Sequence, residues 1–197
     1  MITAETKEKN YRLFLKKLQS IGLPVDNINA NYGNAIMNES FTITNEKGNA
    51  YDGSLLEIIL KTLTPYALKL NELLPQTLQV ERDSLIKVSL LHHLSKALTI
   101  IPNDNQWEIE KRGMLYKYNN DLPSLRTGMY SAFISQKCGI EFTIEEMEAM
   151  IINDRIATDE QARWHSSAFA TIIRQANELT YLDINQENKL LNSNSNE

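Results

Sequence analysis

The segment 89–97 constrains the fold more than any other part of the chain, because it is almost wholly apolar and yet contains two adjacent histidines, His92 and His93. We predict that it belongs to a helix over residues 85–99. Apolar side chains occur on nearly every side of this helix, which is typical of a helix in the interior of a protein. Adjacent helical residues project about 100° apart, so the two imidazoles cannot bind one metal ion as an i, i+4 pair can.

The composition is that of one globular domain with a sizeable core, at 197 residues of which 42% are hydrophobic and 23% charged. The single cysteine, Cys138, excludes an intramolecular disulfide. No apolar run approaches the roughly 20 residues that span a bilayer, and residues 1–9 lack the apolar segment of a signal peptide. We therefore expect no membrane partner and a reducing compartment. A net charge of −5 disfavours nucleic acid as a partner.

The first quarter of the chain predicts one helix followed by irregular structure. Apolar residues at helical spacing over 6–20 indicate an amphipathic helix whose lysines face solvent. Residues 25–53 are rich in Asn and Gly, which favours an irregular segment with a short hairpin at 41–48. We accordingly separate 1–50 from the domain that follows.

Two helices are predicted around the centre of the domain. Ser54 is a plausible N-cap for a helix that begins at Leu55 and runs toward Leu74, with a kink or a break at Pro65. Asp83 or Ser84 is the expected N-cap of the histidine helix.

The following segment predicts a small β-ribbon. Residues 107–110 and 114–118 alternate in polarity and flank 111–113, as in a two-stranded ribbon. We propose its exposed aromatic and basic residues as a protein-contact surface: Trp107, Arg112, Tyr116 and Tyr118. They could also stack on bases, but neighbouring carboxylates oppose that interpretation.

The remaining chain predicts three helices and a polar tail. We expect a helix over 124–137 ended by Gly139, and a second that begins at a Thr143–Glu146 capping box and runs to about 152. A polar loop over 153–161 precedes a helix over 166–181. The fold class is therefore mainly α, with a domain over 51–184 and a flexible polar tail over 185–197.

Known catalytic patterns are scarce in the sequence. Only His92, His93 and His165 could supply imidazole ligands, and neither His-x-x-x-His nor Glu-x-x-His spacing occurs. Cys138 has no histidine nearby in sequence, which favours an inert buried thiol. With seven glycines in the chain, no phosphate-binding loop is found. We expect no catalytic residue, no metal and no cofactor.

Residues 84–97 resemble the central segment of the HD phosphohydrolase superfamily, usually written L-L-H-D-L-x-K-A. The segments 102–108, 112–116 and 122–128 resemble one branch of that superfamily, and the whole resemblance spans about 51–181. It implies an HD-domain-like helical bundle with the β-ribbon as an insertion. In active members such a bundle holds a catalytic metal.

The resemblance also implies that the metal ligands have been lost. Ile58 stands at the position of the first histidine, and His93 replaces the aspartate of the His-Asp pair. Asn153 and Asn177 stand where a further histidine and the closing aspartate are expected. Only His92 is kept, so the histidine pair is a vestige and the chain is expected to be a pseudoenzyme.

Three features in combination are similar to proteins encoded by crAss-like bacteriophages. They are the disrupted His-Asp pair, the segment Pro-Asn-x-x-x-Trp-Glu over 102–108, and the run Ser-Ser-x-x-Ala-Thr-Ile-Ile-Arg-Gln-Ala-Asn-Glu-Leu over 166–179. In such phages non-catalytic folds of this kind are associated with virion and tail structure. The leading hypothesis is therefore a homo-oligomeric ring or connector of a phage virion, assembled in the host cytoplasm beside portal or tail proteins. The alternatives are a metal-dependent phosphohydrolase acting on nucleotides or phosphoesters, and a nucleotide-sensing pseudoenzyme.

Overall fold

The computed structural model describes residues 2–44, 50–154 and 166–194. Over these residues the protein is mainly helical, with one two-stranded antiparallel sheet. The predicted mainly α class with a small β element is therefore confirmed. None of the described helices combines the length and the apolarity needed to cross a bilayer.

The described helices are α1 (Ala4–Ser20), α2 (Asp26–Asn38), α3 (Ser54–Ile58), α4 (Thr64–Leu73), α5 (Arg82–Leu91), α6 (Lys96–Thr99), α7 (Gln106–Arg112), α8 (Thr127–Lys137), α9 (Ile144–Ile151) and α10 (Ala168–Asn194). A π-helical turn, Ile59–Leu63, joins α3 to α4, and turns of 3-10 helix lie at Gln76–Leu78 and Ile152–Asp154. Strand β1 (Ile100–Pro102) pairs with β2 (Tyr116–Tyr118).

Helix α2 corrects the prediction of irregular structure over 25–53. Asn-rich sequence has a low helix propensity, but Ile28 and Ile36 are fully buried and hold α2 against the core. Gly33 permits a close approach of α1, because a Cβ there would lie 2.5 Å from the hydroxyl oxygen of Tyr11. The predicted hairpin is absent at 41–44, and its remaining residues lie outside the described chain.

The predicted break near Pro65 is confirmed, and it takes the form of the π-helical turn. Proline lacks the N–H of a regular helical bond, so a change of hydrogen-bond pattern before it is expected. Ser54 is not the N-cap. It is the first residue of α3, and its hydroxyl accepts a hydrogen bond from the Phe41 amide at 2.9 Å.

The central helix predicted over 85–99 is interrupted at the histidines. Helix α5 ends at Leu91, residues 92–95 form turns, and α6 follows. The amide of Ser95 donates to the hydroxyl of Ser131 at 2.9 Å in place of a helical carbonyl. A side chain from α8 therefore breaks the helix that local sequence favours.

Several helix ends differ from prediction by a few residues. The N-cap of α5 is Glu81, whose carboxylate accepts from the Ser84 amide at 2.8 Å. The capping box at Thr143 is confirmed, as is the end of α8 near Gly139. Helix α8 begins at Thr127 and not at Ser124, and α10 continues to Asn194 instead of ending near 181.

The predicted ribbon is wrong in its first strand. Residues 107–110 lie in α7, because the Asn105 side chain accepts hydrogen bonds from the amides of Trp107 and Glu108 and so caps a helix. Gly113, with φ 60°, ends that helix in the left-handed conformation. The partner of β2 is β1, which precedes α7.

One hydrophobic cluster unites most of the described chain. Buried residues of α1, α2, α5 and α10 all belong to it. Helix α10 packs against α4 and α9, which brings the C-terminal part of the chain to the turn that holds the histidines. A smaller cluster lies under the sheet and contains Ala50, Ile100 and Tyr116.

Candidate functional site

The histidine pair lies in the core at the turn between α5 and α6. His92 is 1% exposed and His93 4% exposed, so neither imidazole is open to solvent. The two rings lie 4.6 Å apart between centroids and are inclined by 69°. Phe41 approaches His93 edge to face at 5.0 Å. The site is thus a packed group of rings within the bundle.

Each imidazole is paired with an asparagine from a distant element. The side-chain amide of Asn153, in the turn after α9, donates to Nε2 of His92 at 2.8 Å. Nε2 of His93 lies 2.7 Å from Oδ1 of Asn177 on α10, which makes that nitrogen a donor. The two rings therefore have opposite tautomers, since one Nε2 accepts a hydrogen bond and the other donates one.

Burial keeps both imidazoles neutral. It lowers the pKa of His92 to about 4, and the positive charge of Lys96 acts in the same direction, while the backbone of Met150 opposes it. Burial also lowers the pKa of His93 well below its usual value, again with help from Lys96 and from His92. Neutrality of His92 fits its hydrogen bond, because Nε2 can accept from the Asn153 amide only when it carries no proton. The bond from Nε2 of His93 to Asn177 favours the charged ring and so opposes the effect of burial there.

The other ring nitrogens are poorly satisfied. Nδ1 of His92 and Nδ1 of His93 are buried and make no hydrogen bond of acceptable geometry with the described residues. In His93 the lone pair on Nδ1 faces no donor among residues 2–44, 50–154 and 166–194. An unsatisfied buried acceptor costs about 1–3 kcal/mol, so this nitrogen is a local weakness of the core.

The donor set does not fit a catalytic divalent ion. The lone pair on Nε2 of His92 is occupied by the amide of Asn153, and Nε2 of His93 carries a hydrogen. Ile58, 3% exposed, offers no donor atom. No three His, Cys, Asp or Glu side chains converge in the described part of the chain, and His165 lies outside it. A zinc-type site needs three or four such ligands.

Lys96 is the site residue that local sequence patterns did not identify. It is 8% exposed, one turn beyond the histidines, and its ammonium donates to the Phe41 carbonyl oxygen at 2.8 Å and to the Tyr181 hydroxyl at 3.1 Å. A signal existed, because this lysine stands in an otherwise apolar helix that was expected to be buried all round.

The proposed contact surface is only partly exposed. Trp107 and Tyr118 are 62% and 64% exposed, and Arg112 forms an exposed pair with Glu108. Tyr116 must be removed from this surface, because it is 6% exposed. Its position in β2 turns its side chain inward, toward the small cluster under the sheet.

Tyr116 has a structural partner instead. Its hydroxyl donates to Oδ1 of Asp52 at 2.5 Å. Burial, and then this bond to a carboxylate, raise the pKa of the phenol. Cys138 is likewise buried, and burial raises the pKa of its thiol, which agrees with an unreactive cysteine.

Comparison of the chain with protein-family models, with curated proteins and with solved structures finds no match.

Proposed function

We propose that the chain is a non-catalytic HD-fold structural protein, a homo-oligomeric ring or connector of a phage virion or tail. The observation that supports a non-catalytic role is the pairing of His92 with Asn153 and of His93 with Asn177. Both imidazoles are committed to amides within the core.

Burial argues against general acid–base catalysis at the pair. A catalytic base must come within hydrogen-bond reach of the proton it removes. At 1% and 4% exposure, His92 and His93 are in contact with protein on all sides. An imidazole with a pKa of about 4 is also a weak base at neutral pH.

The same contacts favour a scaffold role. The two hydrogen bonds join the α5–α6 turn to residues 61 and 84 positions later in the chain. They hold three separate elements in one arrangement. Polar contacts of this kind restrict how a core can pack, which is useful in a subunit that must present a fixed surface.

The assignment to a phage particle rests on the sequence resemblance of the disrupted His-Asp pair and of the segments 102–108 and 166–179. The proposal of an oligomer rests on exposed residues of the predicted contact surface. Trp107 and Arg112 are residue types that are enriched in protein interfaces, and both are exposed. A ring requires a heterologous interface, in which this surface meets a different one on the next subunit. Portal or tail proteins are the proposed neighbours in the virion.

Sedimentation of the purified chain tests the structural role. We expect an oligomer, and we expect the double variant Trp107→Ala/Arg112→Ala to dissociate it. Leu73→Ala is the matched control, because Leu73 is 81% exposed on α4 and outside the proposed surface. A stable monomer that does not associate with virion proteins would contradict the proposal.

A metal and activity assay tests the loss of catalysis. The purified chain should contain no stoichiometric metal and should not hydrolyse nucleotides or phosphoesters in Mn²⁺ or Ni²⁺. Turnover that disappears in His92→Ala while the fold is retained would show a working enzyme and overturn the non-catalytic assignment.

A further inference from the structure

A cavity of about 340 Å³ lies beside the sheet, between the segment after α2 and helices α6, α8 and α10. Known ligand pockets measure about 300–1,000 Å³, so its size is sufficient for a small metabolite. The polar residues that line it are Thr42, Lys96, Thr99, Tyr118, Thr127 and Tyr181. Among the described residues that line this cavity there is one lysine and no carboxylate.

No acidic group in the described part of the chain balances the charge of Lys96. No carboxylate of the described residues lies within ion-pair distance of its ammonium. Its partners are the Phe41 carbonyl, the Tyr181 hydroxyl and the face of the Phe41 ring, whose centroid is 3.5 Å away. These groups carry only partial negative charge. Buried charges in proteins are normally paired, and the buried Glu146 follows that rule with the half-buried Lys87 at 2.7 Å.

Lys96 and Tyr181, which both line the cavity, retain donor capacity. An ammonium has three N–H groups, and Lys96 donates two of them to oxygen atoms of the described residues, with the Phe41 ring face as its remaining close contact. Tyr181 accepts from Lys96, so its own phenolic hydrogen is available to an acceptor. One N–H and one O–H therefore remain to bind an oxyanion at the same end of the cavity.

We infer that this cavity binds the anionic group, phosphate or carboxylate, of a small organic molecule, with Lys96 as its counter-charge. Lys96 and Tyr181 donate hydrogen bonds to the oxyanion, and charge-assisted hydrogen bonds of this type are the strong ones. This binding role goes beyond the structural role proposed above and does not depend on it.

The body of the ligand has a place in the adjoining cavity. That cavity, of about 390 Å³, shares Thr99 and Tyr118 with the first. Asn119, Asn120 and Ser124 contribute polar groups to its lining. A neutral, polar organic moiety therefore fits beyond the anionic end, with Tyr118 at the boundary between the two cavities.

The test is a titration of the full chain with sodium phosphate and, separately, with sodium acetate, followed by the backbone amide resonances. Sodium chloride at the same ionic strength is the reference. We expect saturable shifts at Lys96, Thr99 and Tyr118 with at least one of the two anions. Saturation by phosphate alone indicates that the natural ligand is a phosphoester, and saturation by acetate alone indicates that it is a carboxylate. Saturation by both anions indicates a site that accepts either group.

Lys96→Gln should weaken the binding by at least about tenfold, since it removes a charge-assisted hydrogen bond. Lys69→Gln, an exposed lysine on α4, should leave it unchanged. If Lys96→Gln does not fold, the affinity of Tyr181→Phe for the anion tests the inference instead. This variant removes the phenolic donor and keeps the ring. No saturable shift with either anion, or unchanged affinity in the folded lysine variant or in Tyr181→Phe, would overturn the inference.

Discussion

Acidification should destabilise the protein through its buried histidine pair. The pKa of His92 is about 4 in the folded chain and 6.5 ordinarily, so the unfolded chain binds a proton more readily. Stability from this group is fully present above pH 6.5 and decreases as the pH falls toward 4. Between pH 7.5 and 5.5 the loss is about 1 kcal/mol from His92. His93 acts in the same direction.

Glu39 opposes this effect in the same pH range. Burial raises the pKa of its carboxyl from 4.5 to about 7, and the nearby Asp52 adds to the shift. The folded chain therefore binds the proton more readily, and stability from this group is lost as the pH rises from 4.5 through 7. The change is about 2 kcal/mol at most between pH 5.5 and 7.5, and solvent screening reduces it, because Glu39 is only partly buried.

The variant Glu39→Gln separates the two contributions. Its amide oxygen can still accept the hydrogen bond from the Ser40 amide, which is 3.0 Å long in the wild type. Urea unfolding followed by circular dichroism at pH 7.5 and 5.5 should show little change in the wild type. The variant should lose at least about 1 kcal/mol on acidification.

Two results would refute this reasoning. One is a free energy of unfolding that is the same at both pH values in Glu39→Gln. The other is titration of the imidazole carbons of His92 and His93 near pH 6.5 in the folded protein, which would show that burial does not keep the pair neutral.

Three further substitutions have expected outcomes. Gly128→Ala should destabilise the fold by about 2 kcal/mol or more in urea unfolding, because the new Cβ would lie 2.0 Å from the backbone oxygen of Met150. Asn177→Asp should raise the pKa of His93, measured by imidazole NMR, because it places a carboxylate where an amide oxygen now lies 2.7 Å from the ring. Tyr116→Phe should cost about 1 kcal/mol of stability, because it removes a part-buried hydrogen bond to a carboxylate.

Matched controls accompany these variants. Gly22→Ala has open space around the new Cβ and a φ of 77°, so its cost is only backbone strain of about 1 kcal/mol. A larger loss of stability in Gly22→Ala than in Gly128→Ala would contradict the close approach of Gly128 to the Met150 backbone. Tyr118→Phe should leave stability unchanged, since that side chain is 64% exposed. Asn177→Asp fails as a prediction if the pKa of His93 stays at its wild-type value.

Local signals in the sequence were sufficient for part of the fold. The spacing of apolar residues in α1 and the capping box at Thr143 predict their helices, because each signal lies within the element it specifies. Elements that depend on distant partners were missed. Helix α2 forms despite its asparagines because Gly33 admits α1, and the break at Ser95 depends on a hydroxyl 36 residues away.

Four residues were too few to distinguish a strand from a helix at 107–110. Alternation of polarity over so short a stretch also fits one turn of helix, and the cap supplied by Asn105 decides for α7. At the site, the resemblance singled out His92, His93, Asn153 and Asn177 as one group. The structure places these residues in two hydrogen-bonded pairs. Burial of the Lys96 ammonium depends on Phe41 and Tyr181, which no local pattern connects to it.

The order of synthesis gives the histidine pair a kinetic consequence. While the ribosome extends the chain, His92 and His93 emerge long before Asn153 and Asn177, which follow them by 61 and 84 residues. Until α10 is made, the centre of the nascent protein contains two imidazoles without their amides and an uncovered apolar surface. Exposed apolar surface makes an incompletely folded chain prone to aggregation, so this centre is exposed to that risk until α10 has been made. Truncation before α10 should therefore yield a chain that never reaches its native core.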